Sequence, residues 1–169
     1  MAARVIHFGP DDCHRLIVLE SAGYAVDACD SLGQLRASLT AGGEAAAVVM
    51  SDAEGVAPEE VVSVARTHSL APVVLFRGTN RVYEDSRFDL VVHTLTPPEV
   101  WLNEVDALIS KSRVLQARSE VLARESAHLK QEAAAAVLKS QAEKRRARLE
   151  SARNAVPANG PQPNAPQVE

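Results

Sequence analysis

Six consecutive apolar residues, Ala45 to Met50, stand between a Gly42-Gly43 pair and the polar stretch Ser51-Asp52-Ala53-Glu54-Gly55. So short a run, bounded by turn residues, reads as a strand. A strand apolar at every position must be covered on both faces. That is the situation of a central strand in a parallel sheet, where crossover helices lie on either side.

The rest of the first 110 residues supplies the other parts of such a sheet. Arg4-Val5-Ile6-His7-Phe8 predicts a strand stopped by Gly9-Pro10, after which Asp11 or Asp12 is placed to cap a helix with Cys13, Leu16, Ile17 and Leu19 on its apolar face. Gly23 closes that helix, and Ala25 to Cys29 forms a second strand. Asp30-Ser31 can cap a helix carrying Leu32, Leu35 and Leu39. Pro58-Glu59-Glu60 opens another, with proline in the first turn and carboxylates at the positive end of the helix dipole; Val61, Val62, Val64 and Ala65 give its buried side. Pro72 to Phe76 and Leu90 to Leu95 complete five strands, separated by a polar stretch, 79–88, that predicts a short helix. After Thr96-Pro97-Pro98 a final helix presents Trp101, Val105, Leu108 and Ile109.

Strands and helices in strict alternation imply an α/β fold. The expected form is a five-stranded, parallel, doubly wound sheet of the flavodoxin-like kind. Aromatic residues are only 4% of the chain, so its core must be built from Ala, Val, Leu and Ile.

The last helix has no internal stop, for no Gly or Pro occurs between Pro98 and Pro157. Residues 111–153 are rich in strong helix formers and predict a helical extension to a domain over 1–110. Leu108, Leu115, Leu122 and Leu129 recur every seven residues, as the d positions of a coiled coil do. The matching a positions are Val105, Ser112, Ser119, Ser126 and Ala133, a seam weakened by three serines. A homodimer through 105–135 and a solvated single helix are both consistent with this pattern. Residues 154–169, rich in Pro, Asn and Gln, predict a disordered tail.

In their order and spacing, several landmarks over 4–110 resemble the receiver domain of response regulators. They are Leu19-Glu20-Ser21-Ala22-Gly23-Tyr24-Ala25-Val26, Ala46-Ala47-Val48-Val49-Met50-Ser51-Asp52, Ala71-Pro72-Val73-Val74-Leu75-Phe76, and Thr96-Pro97 where receivers carry Lys-Pro. The resemblance implies a signalling module of phosphorelay (two-component) systems, whose partners are other signalling proteins such as a histidine kinase. It puts the acceptor position at Ser51 or Asp52 and makes Asp52 the candidate phosphoacceptor, since a carboxylate can form an acyl phosphate and a serine cannot do that chemistry in the family's way.

The same resemblance exposes departures. Receivers hold Mg²⁺ with acidic residues after the first strand; here those positions fall at His7 and Phe8. Asp11 would reach the site only through a local shift and otherwise caps a helix. The hydroxyl that ends the fourth strand is replaced near Phe76 and Arg77, leaving Thr79 as the nearest hydroxyl. The family's lysine is replaced by Thr96, which brings no charge, although Arg77 could supply one. The expectation is a pseudo-receiver that works through protein contacts, by resemblance on a face within 79–108. Mg²⁺, on Asp11 and Asp52, enters only if the site functions.

Composition and motifs weigh against other classes. Net charge is −4, but Lys111 to Arg153 holds eleven Lys/Arg against five Glu, about +6, so the remainder is about −10. The basic cluster Lys144-Arg145-Arg146-Ala147-Arg148 admits weak nucleic-acid binding, yet no recognised nucleic-acid-binding motif accompanies it. His7, His14, His68, His93 and His128 are scattered, with His14 expected on the first helix and His93 within the last strand. No Gly-rich phosphate loop or nucleophile elbow is present, so an enzyme is not expected. Cys13 and Cys29 make no metal spacing and are either free thiols or one disulfide. No apolar run approaches the roughly 18 residues of a membrane span, and no signal core follows the first residues, which together predict a cytoplasmic protein.

Overall fold

The computed structural model describes residues 2–11, 13–41, 43–53, 57–79, 84–93 and 95–154. The chain divides into two units, Met1–Ser119 and Glu120–Glu169.

The first unit is built on five strands: β1 (Arg4–Phe8), β2 (Ala25–Cys29), β3 (Ala47–Ser51), β4 (Val73–Phe76) and β5 (Leu90–Val92). They form one sheet in the order β2-β1-β3-β4-β5, every pair parallel. Helices α1 (Arg15–Ser21), α2 (Leu32–Ala41), α3 (Pro58–His68) and the start of α4 (Pro98–Asn154) cover it. This is the doubly wound arrangement expected from the sequence.

Alternation along each strand divides the core in two. Ile6, Phe8, Val48, Met50, Val73 and Leu75 pack with Leu35 and Leu39 of α2 and Val61 and Ala65 of α3. Val5, Ala47, Val49, Val74 and Phe76 pack with Leu19 of α1 and Trp101, Val105 and Ile109 of α4. All five residues of β3 are buried, as its apolar sequence demands. Polar ties reinforce the layers. Arg4 reaches from β1 to the Asp27 carboxylate (Nε–Oδ2 2.8 Å) and donates to the carbonyls of Ser38 and Gly43. The Tyr24 hydroxyl donates to Asp106 of α4, and burial together with that carboxylate pushes the phenol pKa up.

Four local expectations are corrected. Helix α1 begins at Arg15, with His14 before it in the left-handed region rather than on the helix. The carboxylate of Asp11 caps it from four residues upstream, so the buried stripe is Arg15 and Leu19, while Cys13 and Ile17 are exposed. Strand β5 ends at Val92, where its pairing with Phe76 ends, and His93 is exposed beyond it. Among the described residues of 79–88, one 3₁₀ turn, Asp85–Arg87, replaces the expected helix, because Phe88 is the only buried side chain there to anchor one. Cys29 is buried, Cys13 is exposed, and both are free thiols.

In the second unit α4 continues to Asn154, its described side chains all exposed. The predicted tail lies, past Asn154, outside the described residues. No helix among the described residues is long and apolar enough to cross a membrane.

The two burial classes predict opposite outcomes. Leu35→Ala, at a site with no exposure, should cost about 2–5 kcal/mol in urea unfolding, while Leu149→Ala, on the exposed helix, should stay within about 0.5 kcal/mol.

Candidate functional site

The strand order fixes where chemistry can gather. From β1 the chain passes first to β2 on one side and later to β3 on the other. In open α/β sheets the crevice at the carboxyl ends of such a pair is where ligands bind. The ends of β1, β3 and β4 bring together His7, Phe8, Ser51, Asp52, Phe76 and Arg77, with Phe8 opposite Met50 and Ser51 opposite Phe76.

His7 has no exposure, and neither ring nitrogen has a hydrogen-bond partner. Its neighbours in the sheet are Ala28 and Val49. Burial drives its pKa below the ordinary 6.5, against the opposing pull of the Asp11 carboxylate; Arg15 lowers it further and Asp30 opposes. The ring is therefore a neutral imidazole at pH 7. Phe8 is buried in the opposite layer of the core.

Asp11 has both oxygens engaged by the first turn of α1: Oδ1 accepts from the Arg15 amide (2.6 Å) and Oδ2 from the Leu16 amide (3.2 Å). Asp12, the other residue offered for that role, lies outside the described residues.

Arg15, which sequence reasoning missed, projects from α1 into the site. It is buried, and its Nη1 donates to Ser51 Oγ at 3.0 Å. Its guanidinium carbon lies 4.4 Å from the centroid of the Phe76 ring, whose edge-to-face partner is Trp101 at 5.0 Å between centroids and 87° between planes. A cation over an aromatic face is favourable, the more so when desolvated. The sequence signal was present: Arg15 lies four residues before Leu19, on the same helical face.

Asp52 follows β3 and is buried, its amide donating to the Phe76 carbonyl (2.9 Å). Its Oδ2 accepts from both the amide (3.2 Å) and the hydroxyl of Thr79. Between them Gly78 passes so close that a Cβ there would lie 2.8 Å from the Asp52 carbonyl oxygen, a position only glycine fills without displacement. Arg77, half-buried, donates its amide to the Val92 carbonyl (2.8 Å). Thr96 donates its amide to the His93 carbonyl (3.0 Å) and lines a small cavity together with Arg15, Phe76 and Trp101. The structure thus joins Ser51 to Arg15 and Asp52 to Thr79, and lines one small cavity with both Thr96 and Arg15.

No protein-family model matches the chain, and no curated protein matches it in sequence. Solved structures match it in shape. A response regulator receiver protein from Sinorhizobium medicae superposes with a TM-score of 0.55 at 20% identity, over 66% of this chain and 97% of its own. The receiver domain of a sensor histidine kinase from Pseudomonas aeruginosa, solved with magnesium in its active-site cleft, gives 0.53 at 11%, over 65% and 99%. An adenylate cyclase from Rhodopirellula baltica gives 0.60 at 14%, over 72% and 98%. The fold is that of a receiver domain.

The donor set can be tested against the Mg²⁺ that this fold implies. Mg²⁺ demands several oxygens in near-octahedral array, usually including one or two carboxylates. At the end of β1 the receiver fold here presents an imidazole and a phenyl ring. Asp11 uses both oxygens on α1, and Asp52 uses Oδ2 on Thr79. Among the described residues no three His, Cys, Asp or Glu side chains gather to hold a metal ion. The described residues do not fit a receiver Mg²⁺ site.

The unpartnered His7 generates a pH prediction. Its folded pKa is below its unfolded one, so the unfolded chain binds more protons as pH falls below about 6.5, and stability falls with it. His7→Leu removes that titration. Its urea midpoint should vary less between pH 7 and 5 than the parent's; an unchanged pH dependence would assign the effect to other groups.

Proposed function

We propose that this chain is a regulatory module of the receiver type that signals through protein contacts and has left the phosphorylation cycle. One observation carries the reading. At a position where the receiver resemblance implies a Mg²⁺-binding carboxylate, the chain buries a neutral His7 with both nitrogens unpartnered. Acyl-phosphate chemistry at an aspartate needs its developing charge met by cations placed in advance. Arg15, buried beside this site, donates to Ser51 Oγ. The hydroxyl and amide of Thr79 hold the Asp52 carboxylate itself.

With no catalytic constellation proposed, the output lies in surfaces. The candidate effector is α4, whose first turns are anchored in the core by Trp101, Val105 and Ile109. Trp101 touches Phe76, and Phe76 touches Arg15, so a change at the carboxyl end of the sheet has a packed route to the start of α4. The partners are proteins, and no enzymatic activity is proposed.

The test is titration of the folded chain with Mg²⁺ and beryllofluoride, an acyl-phosphate mimic, read by Trp101 fluorescence and amide shifts. No saturable response is expected. A saturable response that disappears in Asp52→Ala would overturn the reading and make this a working receiver.

A further inference from the structure

We propose that the second unit carries a phosphate-binding face on α4, built on Lys144, Arg145 and Arg148, and that its partner is the backbone of duplex nucleic acid. This adds a second kind of partner to the signalling reading and does not depend on the chemistry at the carboxyl ends of the sheet.

The observation is a sorting of charge along one exposed helix. From Glu120 to Arg153 every side chain is exposed. On such a surface charges pair along the helix, at separations of three or four residues. Arg146 has Glu143 three residues before it and Glu150 four after, and its Nε lies 3.3 Å from Glu150 Oε1. Lys139 has Glu143 four residues on, and Arg153 has Glu150 three residues before. Lys144, Arg145 and Arg148 have no carboxylate at either spacing, and Lys130 has none. Among the described residues no ion pair reaches any of these four.

The two classes also separate around the helix. At about 100° per residue, Glu125, Glu132, Glu143 and Glu150 fall within about 20° of one another. Lys130, Lys144, Arg145 and Arg148 fall within an arc of about 100° on the opposite side. In a solitary helix that arc is unfavourable. Lys144 and Arg148 are four residues apart, and Arg145 and Arg148 three, spacings at which like charges weaken a helix. An anion set against all three removes the repulsion, and their span of about 6 Å along the axis, one turn, makes them a single patch.

The residues between the cations decide the kind of anion. Ser140, Gln141 and Ser151 lie within or beside the arc. Arg, Lys, Ser and Gln are among the side chains that contact phosphate oxygens in nucleic-acid complexes. A helix that lies in a membrane surface needs a broad face of large apolar residues. Here the arc holds Val137 alone, with Leu138 and Leu149 beyond its edge. Residues 120–154 contain no Phe, Tyr or Trp, the side chains that anchor protein interfaces and that stack single-stranded bases. What remains is the duplex backbone, read without regard to sequence. The chain outside 111–153, at about −10, is repelled by phosphates, so attraction has to come from this helix.

The experiment titrates the full chain into a fluorescent duplex of mixed sequence and reads anisotropy across a range of salt. The dissociation constant should fall in the range of about 10⁻⁴ to 10⁻⁶ M, with a log–log salt slope of about −2.7, or about 0.9 for each cation of the patch. Lys144→Gln/Arg145→Gln/Arg148→Gln should weaken binding about tenfold or more and flatten that slope. Lys139→Gln/Arg146→Gln/Arg153→Gln removes the same charge from the compensated side and should change affinity by less than about threefold. Glutamine is as good a helix former as lysine, so both variants should keep the circular dichroism of the parent. No binding at the lowest salt, equal losses in the two variants, or tighter binding of a single strand than of the duplex each overturns the proposal. Binding to vesicles of phosphatidylcholine and phosphatidylserine without binding to the duplex overturns it too, and assigns the face to a membrane. None of these outcomes bears on the response to beryllofluoride, so the two readings fail separately.

Discussion

Every residue of β3 is buried, and the rest of the first unit follows from that. A central strand without a polar face needs cover on both sides, which here comes from helices on the crossovers between parallel strands. Parallel pairing aligns all the strand ends. His7, Ser51, Asp52 and Phe76 meet because β1, β3 and β4 end side by side, not because any local motif assembles them. Packing thus fixes the location of the site before any of its side chains is chosen. The sheet does not depend on the identity of the side chains at its carboxyl ends, so the fold by itself leaves the chemistry of the site open.

What occupies the site follows a different logic. A buried guanidinium is costly unless its donors and its charge are satisfied. Arg15 donates to Ser51 and lies on the face of Phe76, which Trp101 in turn braces. Placed near His7, this cation reinforces the effect of burial and keeps the imidazole neutral. Protonating His7 would set a second cation in a layer shared with Val5, Ala47 and Val49. Thr79 holds one oxygen of the Asp52 carboxylate, and the described residues hold no cluster of three His, Cys, Asp or Glu side chains for a metal.

The fold was legible because strands and breakers announce themselves locally. Apolar runs of four to six residues, punctuated by Gly9-Pro10, Gly23, Gly42-Gly43 and Pro72, leave few topologies open. The backbone positions of the candidate site were legible for the same reason, since counting from Pro10 and Pro72 places His7, Phe8 and Arg77 at strand ends. Side-chain reach was not. That Asp11 would cap α1 from four residues away, delaying the helix and burying Arg15 instead of Ile17, depends on His14 taking a left-handed conformation, which histidine adopts more often than most residues but still uncommonly. That Thr79 would turn back onto Asp52 depends on the close passage of Gly78. Such details belong to loops, where a residue's role is set by tertiary closure rather than by period. The stretch 79–88 failed for a related reason: with Phe88 its one buried anchor among the described residues, it has no apolar face to hold a helix against the sheet.

Helix α4 poses the opposite problem, being regular far beyond what its packing explains. Past its first turns it rests on propensity and on exposed pairs such as Glu120 with Arg124 and Arg146 with Glu150, each worth about 0.3–0.5 kcal/mol. That is enough for a long Ala-, Glu- and Lys-rich helix to persist in water, and polar residues alone would serve it better. Leu115, Leu122 and Leu129 are good helix formers but expose apolar surface, at a free-energy cost of about 25 cal/mol per Å² left in water. The serines between them are equally unhelpful to a lone helix, being weaker helix formers than the Ala or Glu they displace.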